Sequence, residues 1–304
     1  MDDTSYQILS EMDLPQILLI SLKDFEKDDS ALSIAKKNRS IIEYYFTCTP
    51  SLSLYILNNV PEVDIITYLD ADLYFFSSVE PLYKELENGS ILIIEHRFPA
   101  KIQKNEIYGI YNVGLLSFRR DNNGFACLKW WRDRCLEWCY DRLENGKFAD
   151  QKYLDDWPDR FPGVVVLQHK GAGLAPWNIA NYSYSLSEGN LHVDGQPVIV
   201  YHFHGVKKVT RCLYNTNVQN YKAKLSKFMK KEFYHVYITE LVEISNDLNL
   251  KWKAGYILDY SIRTDHPKGT PLQERVNKIE KKIRDYLRFA KNIVNNDLIL
   301  INND

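Results

Sequence analysis

Residues 65–72, Ile-Ile-Thr-Tyr-Leu-Asp-Ala-Asp, constrain this chain more than any other segment. An apolar run of strand length ends on two carboxylates one residue apart. The continuous apolar run reads as a strand of an open α/β sheet. In open sheets of that kind, ligands bind beyond the carboxyl ends of the strands. Small Ala71 permits a tight bend, and carboxylates on either side of it can hold a divalent cation, directly or through a water. On this segment alone the plainer reading, two solvated acids at a strand end, stays open.

The rest of the chain agrees with a layered α/β sheet. The run QILLIS at 16–21 predicts a short buried strand, 30–45 a helix, and Pro50 the start of a second helix ended near Asn58, Asn59 and Pro61. Further strands are expected at 90–98, 111–120, 163–168 and 198–203. Between them a turn at Asp121–Gly124 leads into an aromatic-rich helix over 125–143, closed by Asn145-Gly146. From about residue 210 the pattern is mostly helical. Strands alternating with helices imply an α/β domain followed by a helical tail.

With 304 residues the chain has room for one large domain and an appendage. Its longest apolar runs are far short of a membrane span, and MDDTSYQ carries no signal-peptide pattern. Five cysteines without framework spacing fit burial in a reducing compartment; Cys127, Cys135 and Cys139 fall on the predicted helix. Tyr, Phe and Trp make up 13% of the residues, which suits sugar sites and ordinary cores alike. Charge is uneven. Residues 1–204 carry 19 Lys and Arg against 29 Asp and Glu, whereas residues 205–304 carry 19 against 11. An acidic body is not the profile of a nucleic-acid binder, but the basic last third suits an anionic contact.

A second segment adds chemistry. His202-Phe203-His204-Gly205-Val206-Lys207-Lys208 ends another apolar run, VIVY. An imidazole commonly completes a cation site built on carboxylates. A glycine lets backbone approach a phosphate, and a lysine adds a compact positive charge.

Asp70-Ala71-Asp72 resembles the D-x-D motif of GT-A nucleotide-sugar glycosyltransferases. His202-x-x-Gly205-x-x-Lys208 resembles the H-x-x-G-x-x-K motif of glycosyltransferase family 8. Between them Tyr111-Asn112-Val113-Gly114 resembles that family's N-x-G strand, and Asp150-Gln151 its D-Q pair. These matches span about two thirds of the chain. LDADLYFF, DQKYLD, APWN and HFHG together are also similar to bacterial nucleotide-diphospho-sugar transferases.

The resemblance implies a GT-A fold and transfer of a sugar from a nucleoside diphosphate donor to a glycan or lipid-linked acceptor, with retention, in cell-surface polysaccharide synthesis. It implies a metal at Asp70, Asp72 and His202, with Mn²⁺ (or Mg²⁺) as cofactor; mixed carboxylate and imidazole ligation favours Mn²⁺. Asp70, Asn112, Gly205 and Lys208 would bind the donor; of the catalytic pair, Asp150 would hydrogen-bond sugar hydroxyls and Gln151 would face the reacting carbon. Trp177 and Asn178, in the GAGLAPWN loop, would meet the acceptor. Each has a plain alternative: Asn112 as a strand end, Asp150 as a helix cap, Trp177 as a loop anchor, and His169 and His204 as structural histidines.

These readings divide the chain into a catalytic domain, 1–208, and a helical, basic extension, 209–304. Residues 271–294 set Leu272, Val276, Ile279 and Ile283 on one helical face and Lys278, Lys282 and Arg288 on the other. Such a helix suits either packing on the domain or, for a cytoplasmic protein, peripheral contact with the inner face of the membrane. A haloacid dehalogenase-type phosphatase also uses D-x-D, but there the motif comes early and is usually followed by Thr or Val; here Leu73-Tyr74 follows. The 69 residues before Asp70 hold one expected strand, so the chain is expected to lack its first βα segment. The alternative function is then a catalytically weak or inactive fragment that binds metal and diphosphate only.

Overall fold

Strand β3 (Ile91–Glu95) shows how the central sheet is covered. Ile91 and Ile93 point into one apolar cluster, with Leu54, Leu57, Leu128 and Trp131; Leu92 and Ile94 point into another, with Leu82 and Leu86. Side chains alternate faces along a strand, so a run without polar residues demands cover on both sides. The computed structural model supplies that cover with helices, and it describes residues 1–210, 212–252 and 298–301. These fall into two units: residues 1–174 with 183–202, and 175–182 with the remainder of the chain from 203.

The first unit begins with helices α1 (Asp3–Glu11), α2 (Leu22–Asp28), α3 (Ser30–Ala35) and α4 (Ile41–Asn59). Then come strands β1 (Ile65–Leu69) and β2 (Leu73–Phe75), helix α5 (Glu80–Leu86), β3, and strand β4 (Tyr111–Arg119). Helix α6 (Asn122–Glu137), helix α7 (Trp157–Arg160) and strand β5 (Val164–Val166) follow. The sheet runs β1-β4-β3-β5 and is mixed: β1 and β3 flank β4 antiparallel, and β3 pairs β5 in parallel. No strand precedes β1 among the described residues. Strands β6 (Tyr184–Ser187), β7 (Asn190–Val193) and β8 (Gln196–Pro197) form a separate meander, and β9 (Val200–His202) pairs with β2.

The second unit holds β10 (Lys207–Lys208), β11 (Leu213–Asn215) and β12 (Leu298–Leu300), paired in that order, with helices α8 (Lys227–Met229) and α9 (Val236–Trp252) joined by a π-helical turn. Phe203 stacks on Tyr237, with ring centres 3.9 Å apart, and its edge meets Tyr234. The segment 271–294 lies outside the described residues. No described helix is long and apolar enough to cross a membrane.

Three sequence expectations are corrected. Residues 16–21 form no strand: Asp13 turns the chain at φ 47°, and Leu18 is left 67% exposed. Pro50 does not start a helix but sits inside α4, which begins at a capping box, Ser40 Oγ accepting from the Glu43 amide and Glu43 returning the bond. The long helix ends at Glu137, so Cys139 is buried beyond it.

Candidate active site at the carboxyl end of β1

Three features bring the motif residues together. Beyond β1 the chain turns through Asp70-Ala71-Asp72, tied by the Leu73 amide to the Asp70 carbonyl (3.4 Å). The next strand, β2, pairs antiparallel with β9 so that Leu73 stands opposite His202. The Asp70 amide in turn donates to the Gly114 carbonyl of β4 (2.9 Å). A three-residue strand pair therefore delivers an imidazole to the D-x-D turn. His202 Nε2 lies 2.8 Å from Asp72 Oδ1 and 3.7 Å from Asp70 Oδ2. The His202 side chain is 5% exposed, while Asp70 and Asp72 are 34% and 40% exposed. One buried imidazole nitrogen thus lies against the Asp72 carboxylate and faces the Asp70 carboxylate at longer range, both carboxylates being partly exposed.

The donor set fits a hard-to-borderline divalent cation. Two ligands held cis on an octahedral ion at about 2.1 Å sit about 3 Å apart, close to the spacing of His202 and Asp72. Nitrogen with two carboxylates suits Mn²⁺ better than Mg²⁺.

Strand β4 makes room for the imidazole. Its pairing with β3 shifts register between Leu92 and Ile94, leaving Val113 to Leu116 in an irregular stretch. Gly114 lies in that stretch. A Cβ there would come within 2.8 Å of His202 Nδ1 and 2.6 Å of Asn112 Oδ1. Glycine is required by the close approach of the ring, which is the usual meaning of a glycine at a strand irregularity. Asn112 Oδ1 accepts from the Gly114 amide (2.8 Å), and its Nδ2 faces His96 Nε2 at 3.4 Å. Buried His96, stacked on Phe98, is 3.1 Å through Nδ1 from the Ile110 carbonyl. Donation to that carbonyl leaves Nε2 to accept from Asn112.

Behind Asp70 lies a dry cluster. Tyr68 donates its hydroxyl to Asp70 Oδ1 (2.8 Å). Burial, then the nearby charge of Asp70, pushes the Asp150 carboxyl up to about 8, against a partial offset from hydrogen bonds that include the Thr49 hydroxyl. Tyr68 is likewise raised, first by burial and then by Asp70. Asp150 caps no helix with its side chain; its carbonyl accepts from Trp131 Nε1 (2.9 Å). Gln151 opens a 3₁₀ turn and donates its amide to the Tyr108 carbonyl (2.9 Å).

The remaining motif residues belong to the second unit. Phe203 to Val206 is a turn closed by the Val206 amide on the Phe203 carbonyl (3.1 Å), with Gly205 at φ 81° in its third position. Asn217 Nδ2 donates to the Gly205 carbonyl. Lys208 lies on β10 opposite Tyr214, its Nζ 6.0 Å from the ring centre. Trp177 is 5% exposed, edge-on to His204 and Tyr221. Asn178 is fully buried and builds its own loop, with Oδ1 accepting from the Ala175 amide (3.0 Å). In the first unit His169 is held by the backbone: its Nδ1 accepts from the Gly171 amide (3.1 Å), and burial lowers its pKa.

Tyr68 and Thr49 were not among the residues expected from sequence, and Gly114 was quoted only as the glycine of the N-x-G match. The signals were present in part. Tyr68 is two residues before Asp70 and shares its strand face, and an isolated glycine in a strand pattern marks a bulge or close approach.

No protein-family model matches the chain. A search of solved structures finds apo mouse xyloside xylosyltransferase 1, with TM-score 0.40 and 14% identity over 67% of this chain and 82% of that one. The chain is 29% identical over 217 residues to the uncharacterized protein YfnD of Bacillus subtilis (strain 168), covering 70% of this chain and 69% of YfnD. It is 32% identical over 218 residues to the uncharacterized protein YfnF of the same organism, covering 69% of this chain and 71% of YfnF. With that identity along more than two thirds of YfnF, the chain belongs to the YfnF family.

Proposed function

We propose that this protein is a metal-dependent glycosyltransferase of the GT-A type, moving a sugar from a nucleoside diphosphate donor to a glycan or lipid-linked acceptor. The observation that carries the reading is the meeting of Asp70, Asp72 and His202 at the carboxyl end of β1, from segments 130 residues apart in sequence. The chemistry asks for such a site, because breaking the glycosidic C–O bond leaves negative charge on a diphosphate. A divalent cation bound by these three side chains would act there as a Lewis acid. The buried His202 fixes one donor, and Tyr68 fixes the orientation of Asp70. Asp150, kept protonated by burial, is suited to donating a hydrogen bond to a sugar hydroxyl. Gln151 would stand near the reacting carbon, with Asn112, Gly205 and Lys208 on the donor. Retention, an acceptor contact at Trp177 and Asn178, a place in cell-surface polysaccharide synthesis and a cytoplasmic location rest on the family 8 resemblance.

The test is a panel of nucleotide sugars incubated with the full chain and Mn²⁺, Mg²⁺ or EDTA, scored for nucleoside diphosphate release. Release from at least one donor, abolished by EDTA and restored by Mn²⁺, is expected. Donor binding without release under any metal would favour the weaker function, a chain that holds metal and diphosphate only. No binding and no release would overturn both.

A further inference from the structure

Helix α4 carries two polar faces, and only one of them serves the carboxylate site. Thr49 faces Tyr68 and Asp150. Ser51, two residues on, is turned by about 200° around the helix. It is 3% exposed, and its Oγ has no hydrogen-bond partner among the described residues. A buried hydroxyl left in that state costs free energy, so its position calls for an explanation.

Ser51 borders a cleft of about 200 Å³ shared with Phe25, Tyr55, Asn58, Asn59 and the Asp29–Arg132 pair. The chemistry of this lining is selective. Arg132 is spent on Asp29, with Nη2 2.7 Å from both carboxylate oxygens and Nε at 3.0 Å. Asp29 Oδ1 also accepts from the Ala31 and Leu32 amides. The two charges therefore cancel and offer little to an ionic ligand. What remains is neutral: the Ser51 hydroxyl, the Asn58 amide, and Asn59 Oδ1, since Asn59 Nδ2 already donates to the Tyr55 carbonyl (2.9 Å). Beside them lies the half-buried Tyr55 ring, held edge to face at 5.6 Å by Phe25, which is itself buried in the core. Asn58 also borders a second, more open cleft of about 460 Å³ with Phe125 and Lys129.

The geometry points to a second carbohydrate site, in which one neutral sugar residue of a glycan sits in the Ser51 cleft and the chain of sugars continues past Asn58 toward Phe125. Hydroxyls and amides pair with sugar hydroxyls in both donor and acceptor senses, and aromatic rings cover the apolar face of a sugar. The site is separate from the carboxylate cluster and does not depend on the chain being a catalyst.

The probe is an immobilised panel of neutral hexose and N-acetylhexosamine oligosaccharides, tested with the full-length chain without nucleotide. Retention of at least one oligosaccharide is expected. Asn58→Ala and Ser51→Ala should each weaken it by about three- to tenfold, the usual worth of one hydrogen bond, while Asp72→Ala leaves it unchanged. Asn58 is exposed, so its variant keeps the fold, and unchanged thermal melting of each variant confirms this. The proposal is overturned if no oligosaccharide is retained, if both cleft variants bind as tightly as the parent, or if Asp72→Ala alone abolishes retention. None of these outcomes bears on nucleoside diphosphate release, which tests the catalytic reading independently.

Discussion

Asp70 divides a wet region from a dry one. Toward solvent it faces His202, whose Nε2 also meets Asp72, and both carboxylates are more than a third exposed and open to a cation. Toward the core it meets Tyr68 and Asp150, where burial is complete enough to keep a carboxyl protonated near neutral pH. The same residue type thus plays opposite parts a few ångströms apart. The difference is set by strand geometry: the turn after β1 lifts Asp72 outward, and the strand face keeps Tyr68 inward. Water access, rather than residue identity, separates carboxylates suited to a cation from one suited to donating a hydrogen bond.

The sharpest way to break this contrast is on the wet side. Asp72→Ala and His202→Ala should each lower metal-dependent donor turnover by on the order of a thousandfold, since each removes a ligand from leaving-group stabilisation. Steady-state rates in Mn²⁺ check this, and parent-level turnover by either variant in EDTA would sink the cation model.

On the dry side, Asp150 should make the apo protein lose stability as pH rises. Its folded-state pKa, about 8, lies above the ordinary 3.8, so the folded state holds an extra proton through that window. Stability is then greatest below about pH 4 for this group and declines toward pH 8, by at most on the order of 5 kcal/mol. Urea melts of parent and Asp150→Asn in EDTA should show the slope in the parent and its loss in the variant. Equal slopes would place Asp150 in a wetter setting.

Gly114→Ala tests the wall between the regions. A methyl group 2.8 Å from His202 Nδ1 must displace the ring or the strand, at a cost of about 1–3 kcal/mol. Denaturation midpoints and Mn²⁺ titration should fall together. Tyr68→Phe should have the smallest effect: one lost hydrogen bond to Asp70, about 1 kcal/mol, read as a several-fold weaker Mn²⁺ affinity at unchanged melting temperature.

The legible parts of the sequence were those where one pattern had one outcome. An uninterrupted Ile-Leu-Ile-Ile at 91–94 could only be covered on both faces, and the carboxylates at 70 and 72 had to leave the sheet at its edge. QILLIS misled because a strand needs a neighbour. Its Ile17 and Leu18 remain exposed beside α1, and no described strand pairs with them. Pro50 misled because the capping signal ten residues earlier, Ser40 with Glu43, outweighed it: the helix forms from its cap and buries Pro50 along with Thr47 and Leu54. In the dry half only Asp150 was legible, from the D-Q match, and its burial beside Thr49 and Tyr68 was not. Thr49, Tyr68 and Asp150 meet only in space, and burial of a carboxyl leaves no mark on a one-dimensional pattern.

The three-residue pairing of β2 with β9 also sets a clock. Asp72 and His202 are 130 positions apart, and closing a loop of that length costs about 4 kcal/mol of chain entropy before any contact repays it. During synthesis the D-x-D turn leaves the ribosome long before its histidine does, at about 5–20 residues per second. The newly made carboxylates therefore wait about 6–26 s before the histidine is made. On the proposed cation reading, the site would be a late product of folding, completed only when contacts of high contact order close. A nascent chain stalled before residue 202 should fail to retain Mn²⁺, and one released beyond it should take the metal up.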